Sequence, residues 1–362
     1  MTNTSTFAPA SVDAFRTSLS CPVLVRGDDG IAAEVGAFNT LIQHDPDVVV
    51  AAATEADVAA AVRFAAEHGL PVHVRATGHG AEAPITSGLV ISTQRLDTVE
   101  VDADTRTATI GAGAHWRSVI DAAAPFGLAP VTGSSVNVGA VGYTLGGGLG
   151  PLARSHGFSS DWARAFRVVT ATGEIVTADA HSNPDLFWAL RGGKGGLGVV
   201  TQLTIELTAI PSLYAGGLFF DGADVEAALR AWVDWLPSAP ESVSTSVALL
   251  RMPDLEFIPA PLRGRNLLNL RFAHAGAAVE GERMLAPLRA AAPVYIDAVG
   301  PMALTDVATI HNDPEAGGPS WTQGMALSGV DQDLITALLE LAGPDADSPF
   351  VAVELRHLCG AA

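Results

Sequence analysis

Between Gly133 and Gly150 seven of eighteen residues are glycine, which is more than a helix or strand interior sustains at ~0.5–1 kcal/mol per glycine. Such a density suits a loop whose backbone must approach a ligand closely. Two shorter segments share the character: Arg75-Ala76-Thr77-Gly78-His79-Gly80 and Gly195-Gly196-Leu197-Gly198. The first directly follows an apolar run, Val72-His73-Val74, that reads as a strand. Successive small residues there can turn several backbone N–H groups toward one anion, with Arg75 adding charge, and a diphosphate is the natural guest. Taken alone, the same loop also fits a plain turn at Thr77-Gly78 beside a satisfied or solvated His79.

The surrounding pattern divides the chain in two. Val48 to Ala53 reads as a buried strand, Thr54 and Asp57 as a helix-opening capping box, Gly69 as its stop and Val72 to Arg75 as the next strand, giving a βαβ rhythm. Strands are expected at Leu89–Ser92, Val99–Val101 and Ala108–Ile110, and a helix from Trp116 to Phe126. A hairpin is expected over Arg167–Thr177 and a half-buried strand over Val199–Leu207. The first domain is expected to close near Pro211, so that it covers 1–211 with a core at about 45–211, leaving 212–362 as the second. In the second, amphipathic helices at Asp224–Leu236, Ala277–Ala291 and Asp331–Leu341 alternate with strands near Val247, Leu268, Tyr295, Met325 and Val351. That order predicts an α+β layer, an antiparallel sheet with helices on one face.

Composition narrows the chemistry. Twenty Lys and Arg face 39 Asp and Glu, a net charge of −19, and Lys194 is the one lysine. A nucleic-acid backbone would be repelled, and any phosphate must be held locally by backbone N–H groups and one or two arginines. The acidic balance also favours neutral or cationic substrates over anionic ones. Cys21 and Cys359 cannot form a disulfide framework and read as inert thiols. Met1 to Pro9 shows no leader pattern, so the expected compartment is the reducing cytoplasm. No apolar run reaches the ~18–20 residues of a spanning helix. Gly193 to Gly198 satisfies G-x-G-x-x-G but leads into a strand pattern, where a Rossmann fingerprint must open a helix. The ten histidines show no metal-ligand spacing, so no metal is expected.

The ordered set of Arg75-x-x-Gly78-His79, Gly111-Ala112-Gly113-Ala114-His115-Trp116 and Gly133 through Gly150, then Asp185-Leu186-Phe187-Trp188 through Gly193 and Gly198-Val199-Val200-Thr201, resembles the FAD-linked oxidases of the berberine bridge enzyme-like group. That group lies within the vanillyl-alcohol oxidase, or PCMH-type, superfamily, and the resemblance covers roughly residues 45 to 210. It implies a two-lobed protein of α+β class: a PCMH-type FAD-binding domain plus an α+β substrate domain whose antiparallel sheet is covered by helices. The FAD contacts it implies are Arg75, Ala76, Thr77, Gly78, His79, Gly80, Thr132, Gly133, Ser134, Ser135, Val138, Gly139, Gly142, Gly147, Gly150, Gly198 and Val200. His79 occupies the slot of the histidine that bonds to the flavin 8α carbon. Thr77 departs from the usual glycine there.

Bicovalent members carry a cysteine where this chain has Ser135, so one covalent link at most is implied, with a lower flavin potential and a less open active site. Relatives also continue into a segment carrying a catalytic tyrosine, which is absent before the final residue, Ala362. On the strand ending near Cys359, Glu354 and Arg356 have the period-2 spacing to share one face. They read either as a salt bridge on a solvated face or as groups that orient substrate or assist proton removal. Tyr143 fits either stacking near the flavin or packing. The implied activity is oxidation of an alcohol- or amine-type C–H in a small molecule, with O2 as electron acceptor. The implied group spans carbohydrate oxidases and enzymes of secondary metabolism. Two further readings remain: a dehydrogenase with non-covalent FAD, and a non-catalytic flavin-binding protein.

Overall fold

The computed structural model describes residues 9–210 and 212–362. The leader reading over Met1 to Ala8 and the boundary residue Pro211 lie outside the described residues. The chain forms two compact units: 9–148, 158–209 and 314–322 in the first, and 149–157, 210, 212–313 and 323–362 in the second.

The first unit holds two sheets. In one, strands β1 (Val23–Val25), β2 (Val48–Ala51), β3 (Val72–Arg75) and β4 (Leu89–Ser92) lie in the order β1-β2-β4-β3. Helix α1 (Glu55–Glu67) follows β2 and opens on the expected box: Thr54 Oγ1 accepts from Asp57 N, and Asp57 Oδ2 accepts from Thr54 N. The βαβ rhythm is therefore present, but β2 and β3 are not neighbours, because β4 runs parallel between them. Burial explains the insertion: every residue of β4 is buried, whereas β3 alternates exposed and half-buried and takes the edge.

The second sheet joins β5 (Val99–Asp102), β6 (Thr107–Gly111), β7 (Ala163–Val169), β8 (Ile175–Asp179) and β9 (Val199–Glu206) in the order β5-β6-β9-β7-β8, all antiparallel. Helix α2 (Trp116–Ala123) packs against it, with Phe126 ending a short 3₁₀ turn rather than the helix itself. Glu55 of α1 receives a bidentate pair from Arg167 of β7 (2.9 and 3.2 Å) and a bond from Thr201 of β9, tying the two sheets. The glycine-rich segment is not all loop. Its middle forms helix α3 (Ala140–Leu145), which buries Ala140, Val141 and Thr144, and the Thr144 hydroxyl donates to Ala140 O.

The second unit is an antiparallel sheet of β10 (Leu213–Asp221), β11 (Val243–Arg251), β12 (Asn266–His274), β13 (Ile296–Asp297), β14 (Gly300–Met302) and β15 (Ala352–Arg356), in the order β13-β10-β12-β11-β15 with β14 also on β10. Helices α4 (Val225–Trp235), α5 (Ala278–Arg289) and α6 (Gln332–Ala342) match the three expected from periodicity. Leu218, Phe220, Val247, Leu249, Leu268 and Leu270 form one apolar face with Leu229, Trp232, Leu285 and Ile335 of those helices. Two expectations need correction. The residues around Met325 form no strand, and a nine-residue strand, β10, is missing from the expected set. Gly216-Gly217 interrupts its pattern for a packing reason: Gly216 has φ +141°, and a Cβ there would fall 2.1 Å from Ala298 O.

Candidate functional site

A cavity of about 950 Å³ opens in the first unit at the carboxyl end of β3, within the usual size range of small-molecule and cofactor sites. Arg75, the last residue of β3, turns its guanidinium back onto Gly36 O (Nη2 2.6 Å, Nε 3.2 Å). Its Nη1 is buried and has no partner, a cost of about 1–3 kcal/mol unless an acceptor meets it. The loop that follows is built for close approach. Gly78 has φ +80°, and a Cβ there would lie 2.4 Å from Gly36 O, so no other residue fits without moving backbone.

His79 stacks on Phe38 with ring centroids 4.2 Å apart, and its Nδ1 lies 2.9 Å from Thr77 Oγ1. The same Thr77 oxygen accepts from Gly139 N at 3.3 Å, which sews this loop to the glycine-rich segment. Thr77, the departure from the family glycine, thus gives the imidazole a fixed partner. Burial, reinforced by nearby His115 and Arg75, holds the His79 pKa below the ordinary histidine value. At neutral pH the ring is uncharged and keeps a nucleophilic lone pair.

Of the cofactor residues implied by the sequence, Arg75, Ala76, Thr77, Gly78, His79, Gly80, Val138, Gly139, Gly142, Gly198 and Val200 line this cavity. Thr132, Gly133, Ser134, Ser135 and Gly147 do not line it, and Gly150 belongs to the second unit. Gly133 and Gly148 leave room for packing, since a Cβ on either would fall 2.7–2.8 Å from the Tyr143 ring, which is held edge-on to Trp116 at 6.0 Å. Tyr143 thus packs into the core cluster and also lines the cavity. Glu354 and Arg356 lie in the second unit, share one sheet face and bond to each other at 3.0 and 3.1 Å. Among the described residues no cluster of acidic, histidine or cysteine side chains could hold a metal, and no helix is long and apolar enough to cross a membrane.

Lys194 also lines the cavity, although the sequence alone assigns it no role. Its backbone adopts φ +56°, uncommon for a residue with a side chain, and its Nζ lies 3.6 Å from where a Gly80 Cβ would sit. A lone lysine flanked by Gly192-Gly193 and Gly195-Gly196 was the available signal. Arg75 and Lys194 thus put two cationic side chains on the cavity wall beside the 75–80 loop, the kind of charge that suits a diphosphate.

Residues 46–179 match the family model described as an FAD binding domain. The chain is 27% identical over 334 residues to (R)-6-hydroxynicotine oxidase of Paenarthrobacter nicotinovorans, an alignment covering 88% of this chain and 69% of that protein. The crystal structure of 6-hydroxy-D-nicotine oxidase from Arthrobacter nicotinovorans superposes with a TM-score of 0.72 at 26% identity, covering 80% of this chain and 63% of that one. Glucooligosaccharide oxidase from Acremonium strictum, whose structure is described as carrying 6-S-cysteinyl, 8α-N1-histidyl FAD, superposes with a TM-score of 0.70 at 22% identity, covering 83% and 62%. The chain thus spans about two thirds of the length of these proteins.

Proposed function

We propose that this chain, which belongs to the FAD-linked oxidoreductases with a PCMH-type FAD-binding domain, holds one FAD in the first-unit cavity and oxidises an alcohol- or amine-type C–H of a small molecule. The observation that carries the reading is the cavity of about 950 Å³ that the 75–80 loop frames and that Arg75, His79 and Lys194 line together. When bound, FAD supplies the two-electron oxidation, taking hydride from the substrate carbon and yielding H2O2 from O2.

The chain's own residues do the rest. Arg75 and Lys194 neutralise the diphosphate, and the small residues Ala76, Gly78 and Gly80 let backbone come close to it. Neutral His79, held by Thr77, would be the nucleophile for a single covalent link to the flavin 8α carbon, the ring N–H and one 8α C–H giving up their protons and O2 taking the two electrons as H2O2. Ser135, with a hydroxyl rather than a thiol and away from the cavity wall, makes no second one. The first unit, in this reading, is the FAD-binding domain and the second the substrate-binding domain, with Glu354 and Arg356 on the substrate side.

The test is anaerobic titration of the purified yellow protein with a panel of alcohols and amines. Bleaching of the flavin band by one of them, reversed by O2 with one H2O2 per turnover, is the expected result. A flavin that bleaches but is reoxidised only by an artificial acceptor would instead make the protein a dehydrogenase.

A further inference from the structure

The face of the second-unit sheet opposite the three helices carries a row of polar side chains that the flavin site does not use. Strand register sets it: Ser246 of β11 stands directly across from Arg271 of β12 on one side and Arg356 of β15 on the other. The next row on the same face is Asn269, Ala248 and Glu354, while the alternate residues Val247, Leu270 and Leu355 point into the apolar core. His311, at the end of a 3₁₀ turn (Leu304–Ile310), has only 7% of its side chain exposed.

Hydrogen bonding within this group is incomplete. Arg271, with 9% of its side chain exposed, gives Nη1 to Glu354 Oε1 at 2.7 Å, and Arg356 gives Nε to the same oxygen at 3.0 Å. Arg271 Nε, Ser246 Oγ and His311 Nδ1 are buried without any partner. His311 Nε2 lies 3.8 Å from Glu354 Oε1, too far for a hydrogen bond, and burial keeps the ring neutral. Three orphaned polar atoms in one place would cost several kcal/mol if nothing met them. Around them is a pocket of about 40 Å³ whose lining includes Arg154, Arg271 and Arg356 but no Asp or Glu. Arg154, which is buried, spends its guanidinium on the carbonyls of Val243, Leu358 and Ala239 and on His357, so its charge has no carboxylate hydrogen-bonded to it. Glu354 offsets one of the other two, and Asp313 lies near enough to Arg271 to act on it electrostatically.

We propose that this pocket binds a carboxylate, the anionic end of a small organic acid, with Arg271 Nε and Ser246 Oγ as its donors and His311 Nδ1 as a third contact. The volume admits a group of that size and not a whole ligand. Net charge alone favours neutral or cationic substrates, yet a chain at −19 can still take an anion where three arginines line the wall, although Glu241 acts on Arg154 as Asp313 does on Arg271. Calling the guest a substrate rests on the oxidoreductase reading above; the binding itself does not.

The test uses propionate and its neutral isostere propionamide, titrated into the full chain at low ionic strength and followed by saturation-transfer NMR, with flavin content measured separately on the same preparation. Propionate binding at least ~ten-fold tighter than propionamide is expected, the ratio one charge-assisted hydrogen bond supplies. Ser246→Ala should weaken propionate about five-fold with no loss of thermal stability, since it removes a buried hydroxyl that bonds nothing in the free protein. Arg271→Gln should abolish the preference for the acid. Equal binding of acid and amide, no binding of either, or full affinity in a folded Ser246→Ala protein would overturn the proposal. Propionate selectivity in a preparation devoid of flavin would support this site while removing the flavin reading.

Discussion

Two glycines of the cavity wall should respond to the same substitution with opposite signs. Gly142 sits inside α3 with a negative φ, and a Cβ there meets no heavy atom within 4 Å. Gly142→Ala should therefore stabilise the flavin-free protein by about 0.5–1 kcal/mol through helix propensity. That raises Tm by roughly 1–4 °C for a domain of this size. The open space beside Gly142 is the cavity itself, so the added methyl should weaken FAD by about ten-fold, the lower part of the usual overpacking range. Gly78→Ala carries a left-handed φ of +80° and a 2.4 Å clash with Gly36 O, the backbone oxygen that anchors Arg75. Strain of about 1–2 kcal/mol plus overpacking of about 1–3 kcal/mol gives a loss near 3 kcal/mol, a Tm fall of roughly 6–12 °C. Scanning calorimetry of flavin-free protein and FAD titration by fluorescence quenching, both in a His79→Ala background where no covalent link forms, read the two quantities separately. Destabilisation by Gly142→Ala, or unchanged FAD affinity, would refute the assignment of that glycine to the ligand wall.

Three further outcomes follow from the same geometry. In the same His79→Ala background, Lys194→Met should weaken FAD about ten-fold, with a smaller effect at high salt, while leaving the melting temperature of the flavin-free protein within a degree or two; equilibrium dialysis checks it. Stability should fall with acid in the histidine range. Burial lowers His79 and His311, and burial with the adjacent Arg154 guanidinium takes His357 down to about 4. Because these depressed values let the unfolded chain bind protons first, their contribution is full above about pH 6.5 and is lost as pH falls toward 4. Urea titrations at pH 7 and pH 4.5 should show it, with His357→Gln reducing the difference. Thr77→Gly should leave the fold intact yet slow covalent flavin attachment, read as bound flavin per chain over time, since His79 then loses its partner.

Local chemistry was legible where one rule decided the outcome. The Thr54–Asp57 box, the β7–β8 hairpin and the three amphipathic helices of the second unit stand where spacing places them. What escaped was decided by distant contacts. The Gly216-Gly217 pair reads as a break but lies mid-strand because the 298 backbone passes against it. The room that the missing side chains of Gly133 and Gly148 leave for Tyr143 is likewise set by the fold and not by any local pattern. The strand order β1-β2-β4-β3 depends on which strand is most apolar on both faces, a comparison that a local window does not make. Arg75, Gly78 and His79, which the sequence singles out, line the first-unit cavity, whereas Lys194 was visible only as a lone base, its approach to Gly80 created by the fold. Glu354 and Arg356 were paired correctly by period, but Arg271, Ser246 and His311 join them only through cross-strand register and a distant turn.

The central claim is that the first-unit cavity holds FAD and that His79 bonds to it. Expression of the 362-residue chain, acid precipitation and intact-mass analysis of the pellet test it directly. One FAD mass retained with the protein, and released to the supernatant in His79→Ala, is the predicted result. Flavin in the supernatant of the unaltered chain would contradict the covalent link, and flavin in neither fraction would contradict the site.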